Sequence, residues 1–293
     1  MLATIAKFLA THMLAMLMLS VGLRTDSSFM NDVKQRWRLI ARAMSIVWLL
    51  VPCLAVAIVY FVHPRNIEAA TLLVMAICPG VPLVVYRSKK SYGDPKTTLL
   101  VLLATALSSF FMIPLWAAVL SRTTPLELTI GMREVAGVLL PTLLIPYAIG
   151  TVIGDLAPRI AKPLASVAQA LFIAGAVVVL IAIVRQLGAS FSEVGPRGYL
   201  AAVLIPVCAA GLGYAASQPA ALDDRISITY ASALGNPALC LAIMAHSFDV
   251  KVVALVVGFV LVRAIALVPF NLWFKHRSRT GETPLPLGGA QGA

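Results

Sequence analysis

Residues 71–90 read TLLVMAICPGVPLVVYRSKK, an apolar stretch of membrane-spanning length that is interrupted at its centre by Pro79, Gly80 and Pro82. Proline removes a backbone donor and clashes with the preceding helical turn, so this segment is not predicted to form one regular helix. Lipid cannot satisfy the backbone groups that such a break frees. We therefore expect the break to face protein or a water-filled cavity.

A second segment repeats this pattern. Residues 226–246 read ISITYASALGNPALCLAIMAH, with Gly235, Asn236 and Pro237 at mid-span. The two breaks lie five predicted helices apart, and because five is odd the two segments enter the membrane from opposite sides. This is the pattern of inverted repeats, in which two broken helices cross near the midplane and their free backbone ends bind substrate and ions. A pair of proline kinks without a site is the alternative.

Around these segments the chain is apolar throughout. It has 60% hydrophobic residues, 12% charged residues and a mean hydropathy of +0.93, whereas soluble domains have about 25% charged residues. The sequence predicts an all-α polytopic membrane protein of about nine transmembrane helices. The predicted spans are 3–23, 38–62, 68–90, 96–121, 133–156, 164–187, 198–216, 225–247 and 251–274, followed by a disordered tail at 278–293.

The formal charge of +11 is typical of a nucleic-acid-binding protein. The distribution of the basic residues between the two membrane faces decides whether it reflects membrane topology instead. With these spans, one face carries about twice as many lysines and arginines as the other. The positive-inside rule then predicts a cytoplasmic C-terminus and an external N-terminus in the cell membrane. No nucleotide-binding loop, metalloprotease motif or nucleophile elbow is present in the sequence, so we expect a non-enzyme without cofactor, nucleotide or nucleic-acid partner.

The residue most costly to place in lipid is Arg263, which lies near the centre of the last predicted span. A charge there costs at least about 2.5–3.5 kcal/mol. One interpretation is that its guanidinium binds the carboxylate of an anionic substrate. The alternatives are that it caps carbonyl groups at the break in 226–246 or that it extends to the membrane surface.

Further candidates surround the two breaks. Asn236 offers both donors and an acceptor inside the second break. The predicted substrate-binding residues are Arg263, Asn236, Pro237, Gly80, Pro79, Ser232, Ser108 and Ser109, and weak candidates for a metal ion are Thr98, Thr105 and Thr229. For each hydroxyl, a hydrogen bond to its own helix is the alternative. Asp94, Asp223 and Asp224 are predicted to cap helices, with proton coupling as the other possibility.

The order of several motifs resembles the bile acid:sodium symporter family. Residues 17–24, LMLSVGLR, are similar to that family's Met/Gly-rich helix end, and Cys78-Pro79-Gly80 falls on its first break. Gly93-Asp94 falls where the family has glycine before Asp or Asn, and Asn236 falls on the asparagine of its glutamine-asparagine motif.

The resemblance implies a nine-helix form with a panel domain and a core domain that move against each other. The panel would contain 3–23, 133–156 and 164–187, and the core would contain the six other spans, including both broken helices. Alternating access follows from this motion. The resemblance therefore predicts a secondary active transporter of a small organic anion in the lipid bilayer, with a non-transporting scaffold or sensor and a passive uniporter or channel as alternatives.

The same resemblance also exposes a difference at the sodium sites. Where the family has polar sodium ligands, this sequence has Val84, Val85, Ala231 and Gly235. A hard cation needs several oxygen ligands, and these residues offer mainly backbone carbonyl groups. Sodium coupling is therefore doubtful, and the coupling ion, sodium or a proton, stays open. A fixed charge on Arg263 is one way to replace the missing cations.

Overall fold

The computed structural model describes residues 2–25, 29–80, 82–123, 131–244 and 251–279. Every regular element within these ranges is helical, which confirms the predicted all-α class. The α-helices are α1 (Leu2–Gly22), α2 (Phe29–Ser45), α3 (Val51–Val62), α4 (Asn66–Ala76), α5 (Leu83–Lys90), α6 (Pro95–Thr123), α7 (Met132–Leu139), α8 (Ile145–Leu156), α9 (Pro158–Glu193), α10 (Pro196–Ala216), α11 (Leu222–Ala233), α12 (Pro237–Met244), α13 (Lys251–Ala266) and α14 (Val268–Arg279).

Within the described residues, six helical stretches are long and apolar enough to cross a membrane. They are Asn31–Val62, Pro95–Arg122, Met132–Leu156, Pro158–Val178, Pro196–Ala216 and Leu255–Ser278. Each coincides with one predicted span. The other three predicted spans correspond to α1 and to the two interrupted segments, so the count of nine spans stays a prediction.

Prolines explain the irregular turns inside two of these stretches. A π-helical turn at Ile46–Leu50 joins α2 to α3, and another at Leu140–Leu144 joins α7 to α8. Pro52 lies four residues after Trp48 and has no N–H to donate to the Trp48 carbonyl. The indole N–H of Trp116 donates to this carbonyl instead, at 2.8 Å, and thereby ties α6 to the irregular turn.

Both predicted breaks are present, and several boundaries differ from the prediction. The helix predicted at 38–62 begins at Phe29, because residues 29–37 form an amphipathic extension. The helix predicted at 251–274 is interrupted at Leu267, just before Pro269, and then continues to Arg279. The part of the predicted tail after Arg279 and the end of the span 225–247 lie outside the described residues.

Glycines allow α1 to pack closely against α8. A Cβ atom on Gly150 would lie 2.5 Å from the Leu19 carbonyl oxygen, and one on Gly154 would lie 3.2 Å from that of Leu23. Because neither glycine carries a side chain, the two backbones can approach in the manner of small-xxx-small helix pairs. The other side of α1 packs along α9. These three helices thus form one packed group.

Candidate functional site

The two helix breaks contact each other directly. Pro79 and Gly235 form an isolated antiparallel bridge, and the Asn236 backbone N–H donates to the Cys78 carbonyl oxygen at 2.5 Å. We call these paired segments, residues 78–80 and 235–236, the crossing. Gly80 has φ +83°, a left-handed conformation that favours glycine. Each broken helix therefore satisfies backbone groups of the other.

The side chain of Asn236 holds the crossing together. It is 2% exposed, and its Oδ1 accepts the Leu239 N–H at 3.2 Å, which makes Asn236 the N-cap of α12. Its Nδ2 lies 3.4 Å from the Gly80 carbonyl oxygen. Pro237 occupies the first position of α12, where its missing N–H costs nothing. Among the described residues, one N–H and one lone pair of this amide have no hydrogen-bond partner.

Arg263 lies inside the helical bundle next to the crossing. It is 6% exposed and borders a cavity of about 10 Å³, which has room for roughly one water molecule. Pro79, Ser232 and Gly235 border the same cavity. In the part of the chain that the structure describes, the Arg263 guanidinium forms no ion pair and donates no hydrogen bond. The structure thus brings three of the predicted substrate-binding residues, Arg263, Pro79 and Ser232, together at this cavity.

Each predicted hydroxyl group lies within hydrogen-bond distance of a carbonyl oxygen four residues earlier in the chain. Ser232 donates to Ile228, Ser109 to Thr105, Thr105 to Val101 or Leu102, Thr229 to Arg225, Thr98 to Asp94 or to the Ser88 hydroxyl, and Ser108 to Ala104 or Thr105. Thr105 still lies beside the crossing, because a Cβ on Gly80 would be 3.3 Å from its Oγ1. Ser108 instead accepts the Trp48 indole N–H at 2.9 Å. Within the described ranges, no group of three or more His, Cys, Asp or Glu side chains is placed to hold a metal ion.

A larger cavity of about 260 Å³ was not predicted from the sequence. It lies between α1 and α9 on one side and α5 and α6 on the other, at the end of the bundle where α5 ends in Arg87, Lys89 and Lys90. We call it the vestibule and this end the basic end. The vestibule is lined by Leu17, Ser20, Val21, Arg24, Thr25, Asp32, Val85, Tyr86, Lys89, Pro95, Lys96, Leu99 and Gln169. The sequence offered one signal for it, the cations at the ends of α1 and α5, which we assigned to topology alone.

An ionic network ties three helices together at the basic end. Arg36 Nη1 lies 2.6 Å from Asp94 Oδ2 and 3.0 Å from Asp224 Oδ1. The Thr97 hydroxyl lies 3.0 Å from the first carboxylate oxygen and 2.5 Å from the second. Asp94 also accepts the N–H groups of Lys96 and Thr97, which confirms it as the cap of α6. These four residues, Arg36, Asp94, Thr97 and Asp224, are the basic-end network.

The two carboxylates of this network have opposite pKa shifts. Burial acts to raise the pKa of Asp94, but hydrogen bonds from Thr97 and the charge of Arg36 outweigh it, and the pKa is lowered. Burial raises the pKa of Asp224, reinforced by Asp223 and Asp94 against the effects of Thr97 and Arg36. A hydroxyl has one proton, so Thr97 contacts both carboxylates favourably when Asp224 carries a proton of its own.

The model of the sodium bile acid symporter family matches residues 11–194. The chain belongs to the sodium bile acid symporter family. This match includes the first break and every residue that lines the vestibule, whereas the second break and Arg263 lie beyond it. A search of curated proteins returned no match. Membership in this transporter family, together with the apolar helices, makes the chain a multi-pass membrane protein.

Proposed function

We propose that this protein is a secondary active transporter that carries a small organic anion across the membrane by alternating access. The observation that carries the proposal is the crossing, where two mid-span breaks pair through the Pro79–Gly235 bridge. Crossed broken helices of this kind form the substrate and ion sites of secondary transporters. Membership in a symporter family supports the same function.

We further propose nine spans in two inverted repeats, divided into a panel and a core. The panel contains α1, α7, α8 and α9, and the core contains the remaining helices. Two observations support this division: α1 packs along both α8 and α9, and the vestibule separates α1 and α9 from α5 and α6. We propose that the basic end, and the C-terminus with it, faces the cytoplasm. The cluster of lysines and arginines around the vestibule supports this orientation under the positive-inside rule.

The vestibule supports a small anion as the substrate. Its volume of about 260 Å³ is near the lower limit of typical ligand pockets, about 300 Å³, which favours a compact substrate over a steroid. Arg24, Lys89 and Lys96 give it three positive charges against the single negative charge of Asp32. Lys96 is paired with Asp32 at 2.9 Å, and Arg24 donates to Gln169 at 2.9 Å. Lys89 has no partner in the described part of the chain and is free to bind a carboxylate.

A binding and uptake experiment tests this function. The detergent-purified protein is melted with a panel that contains a bile acid, an aromatic monocarboxylate, a 2-oxo acid and a dicarboxylate, because a ligand raises the melting temperature by mass action. A stabilising anion is then offered to proteoliposomes under a sodium or a proton gradient. Lys89→Gln is expected to weaken binding at least about tenfold, since an ion-paired hydrogen bond contributes about 1.5–3 kcal/mol. Lys90→Gln is the matched control, because Lys90 is exposed and does not line the vestibule.

The outcomes separate the proposal from its alternatives. Accumulation of the anion above its external concentration supports secondary transport. Flux that equilibrates without accumulation supports a uniporter or channel. Absence of binding and flux for every anion, in protein that melts cooperatively, would leave a scaffold or sensor with a transporter fold.

A further inference from the structure

Two helices end at the crossing with their C-termini close together. The first half of one broken helix, α4, ends at Ala76, and the first half of the other, α11, ends at Ala233. The bridge between Pro79 and Gly235 follows directly after both ends. The last carbonyl groups of a helix have no partner within it and carry a partial negative charge. Two such charges therefore meet at the centre of the protein.

The guanidinium of Arg263 lies at this meeting point. The position that a Cβ on Gly235 would occupy is 2.7 Å from Arg263 Nη1, 2.5 Å from the Met75 carbonyl oxygen and 3.4 Å from that of Cys78. The cavity beside Arg263 is bordered by the last residues of both half-helices, Ala76 and Ala233. A cation is favoured at a helix C-terminus, so two C-termini compensate for part of the cost of its burial.

The residues around this point do not fit a sodium ion. Such an ion takes several oxygen ligands, and Ala231 and Gly235, which border this cavity, supply no side-chain oxygen. The space beside Gly235 is already filled by Arg263 and by backbone. Ser232, which also borders this cavity, donates its hydroxyl proton to the Ile228 carbonyl oxygen at 2.8 Å.

We infer that Arg263 is a tethered cation, which supplies the positive charge between the two helix C-termini and removes the need for sodium at the crossing. The partial negative charges of the two helix C-termini are then balanced by Arg263 without a bound ion. Resting on the transporter function proposed above, this means that binding and uptake of the anion proceed without sodium. Arg263 acts as a positioning residue that keeps the paired breaks in place, and the anion is recognised elsewhere.

The first test uses the wild-type chain and no variant. Melting temperature and equilibrium binding of radioactive sodium are measured in sodium chloride and in choline chloride at equal ionic strength. We expect equal melting temperatures and no saturable sodium binding. Saturable binding of sodium, or stabilisation by sodium over choline, overturns the inference.

The second test changes Arg263 itself. Arg263→Met replaces the guanidinium with an unbranched, uncharged side chain and leaves the carbonyl groups without a cation. We therefore expect the melting temperature to fall by about 5 °C. Arg263→Lys is expected to keep most of the wild-type value. Arg38→Met, which removes an exposed arginine near Trp37, is the control and should change little. An unchanged or higher melting temperature for Arg263→Met means that the charge is a cost without a role, and overturns the inference.

Chemical rescue completes the design. In Arg263→Ala, free guanidinium ion at low concentration is expected to raise the melting temperature, whereas choline should not, and the wild type should not respond. No response of the variant overturns the inference. Uptake of an anion that requires sodium refutes the tethered cation and leaves the transporter proposal intact. Sodium independence with rescue, but without any transported anion, supports the tethered cation and counts against the transporter proposal.

Discussion

The protein places an arginine at each of two sites where helix ends meet, and their surroundings differ. At the basic end, Arg36 is 34% exposed and contacts both Asp94 and Asp224. At the crossing, Arg263 is 6% exposed and forms no ion pair with any described residue, and the carbonyl groups of Met75 and Cys78 border the same space beside Gly235. Side chains can pair near solvent because either partner can rearrange. At mid-membrane, fixed backbone carbonyl groups take the place of a carboxylate.

The largest expected effect is at the crossing. Gly235→Ala places a Cβ 2.5 Å from the Met75 carbonyl oxygen, and backbone cannot move away as a flexible side chain can. We expect destabilisation of about 3 kcal/mol or more, measured as loss of folded protein in a thermal melt. Gly211→Ala is the matched control, because a Cβ there meets nothing within 4 Å. Equal stability of the two variants would contradict the close packing of the crossing.

The next effect concerns the basic-end network. Asp94→Asn removes the carboxylate that pairs with Arg36 and weakens the cap of α6. We expect a loss of about 2 kcal/mol at neutral pH, measured by thermal unfolding in detergent. The lowered pKa of Asp94 means that its stabilising contribution is present above the unfolded-state pKa, about 3.9, and is lost as the pH falls through the folded-state value. A loss that does not shrink in acid would contradict this assignment.

A smaller effect is expected where the basic end continues into the bundle. The fully buried Tyr230 donates to the Asn271 side-chain oxygen, and its hydroxyl lies 2.9 Å from that of Ser91. Tyr230→Phe removes these contacts between α11, α14 and the residue that follows α5. We expect a loss of about 1 kcal/mol in the free energy of unfolding. Tyr86→Phe, at a side chain that is 41% exposed, is the control and should be neutral.

The smallest effect on stability concerns Asp224, whose contribution depends on pH in the direction opposite to that of Asp94. The raised pKa of Asp224 means that its ionised form is disfavoured in the folded protein, so stability from this group is complete below the unfolded-state pKa and falls as the pH rises through the folded-state value. Asp224→Asn should therefore cost less than Asp94→Asn at neutral pH, by about 1 kcal/mol or more. The difference should narrow as the pH falls through the folded-state pKa of Asp224, where the wild-type carboxylate takes up a proton. Equal costs at neutral pH would mean that the two carboxylates are equivalent.

Local chemistry made much of the fold predictable. Proline and glycine act on their own backbone, so both breaks and the cap at Asp94 could be located from the sequence. The break at Leu267 was missed because an apolar run around a single proline, Pro269, looks like an ordinary span. The hydroxyl candidates were too many, because a hydroxyl in a helix bonds to the preceding turn unless packing prevents it.

The sequence by itself determined that the chain is helical, apolar and broken twice, since these properties follow from composition and from residues close together along the chain. The tertiary structure decided which groups meet. Arg36 contacts Asp94 and Asp224, which are 58 and 188 residues away along the chain. Arg263 on α13 lies beside Gly235, which precedes α12. It also formed the vestibule, whose lining comes from five helices including α2. The physical reason is that a charge selects its partner by distance in space, and that distance is set by packing after the helices have formed.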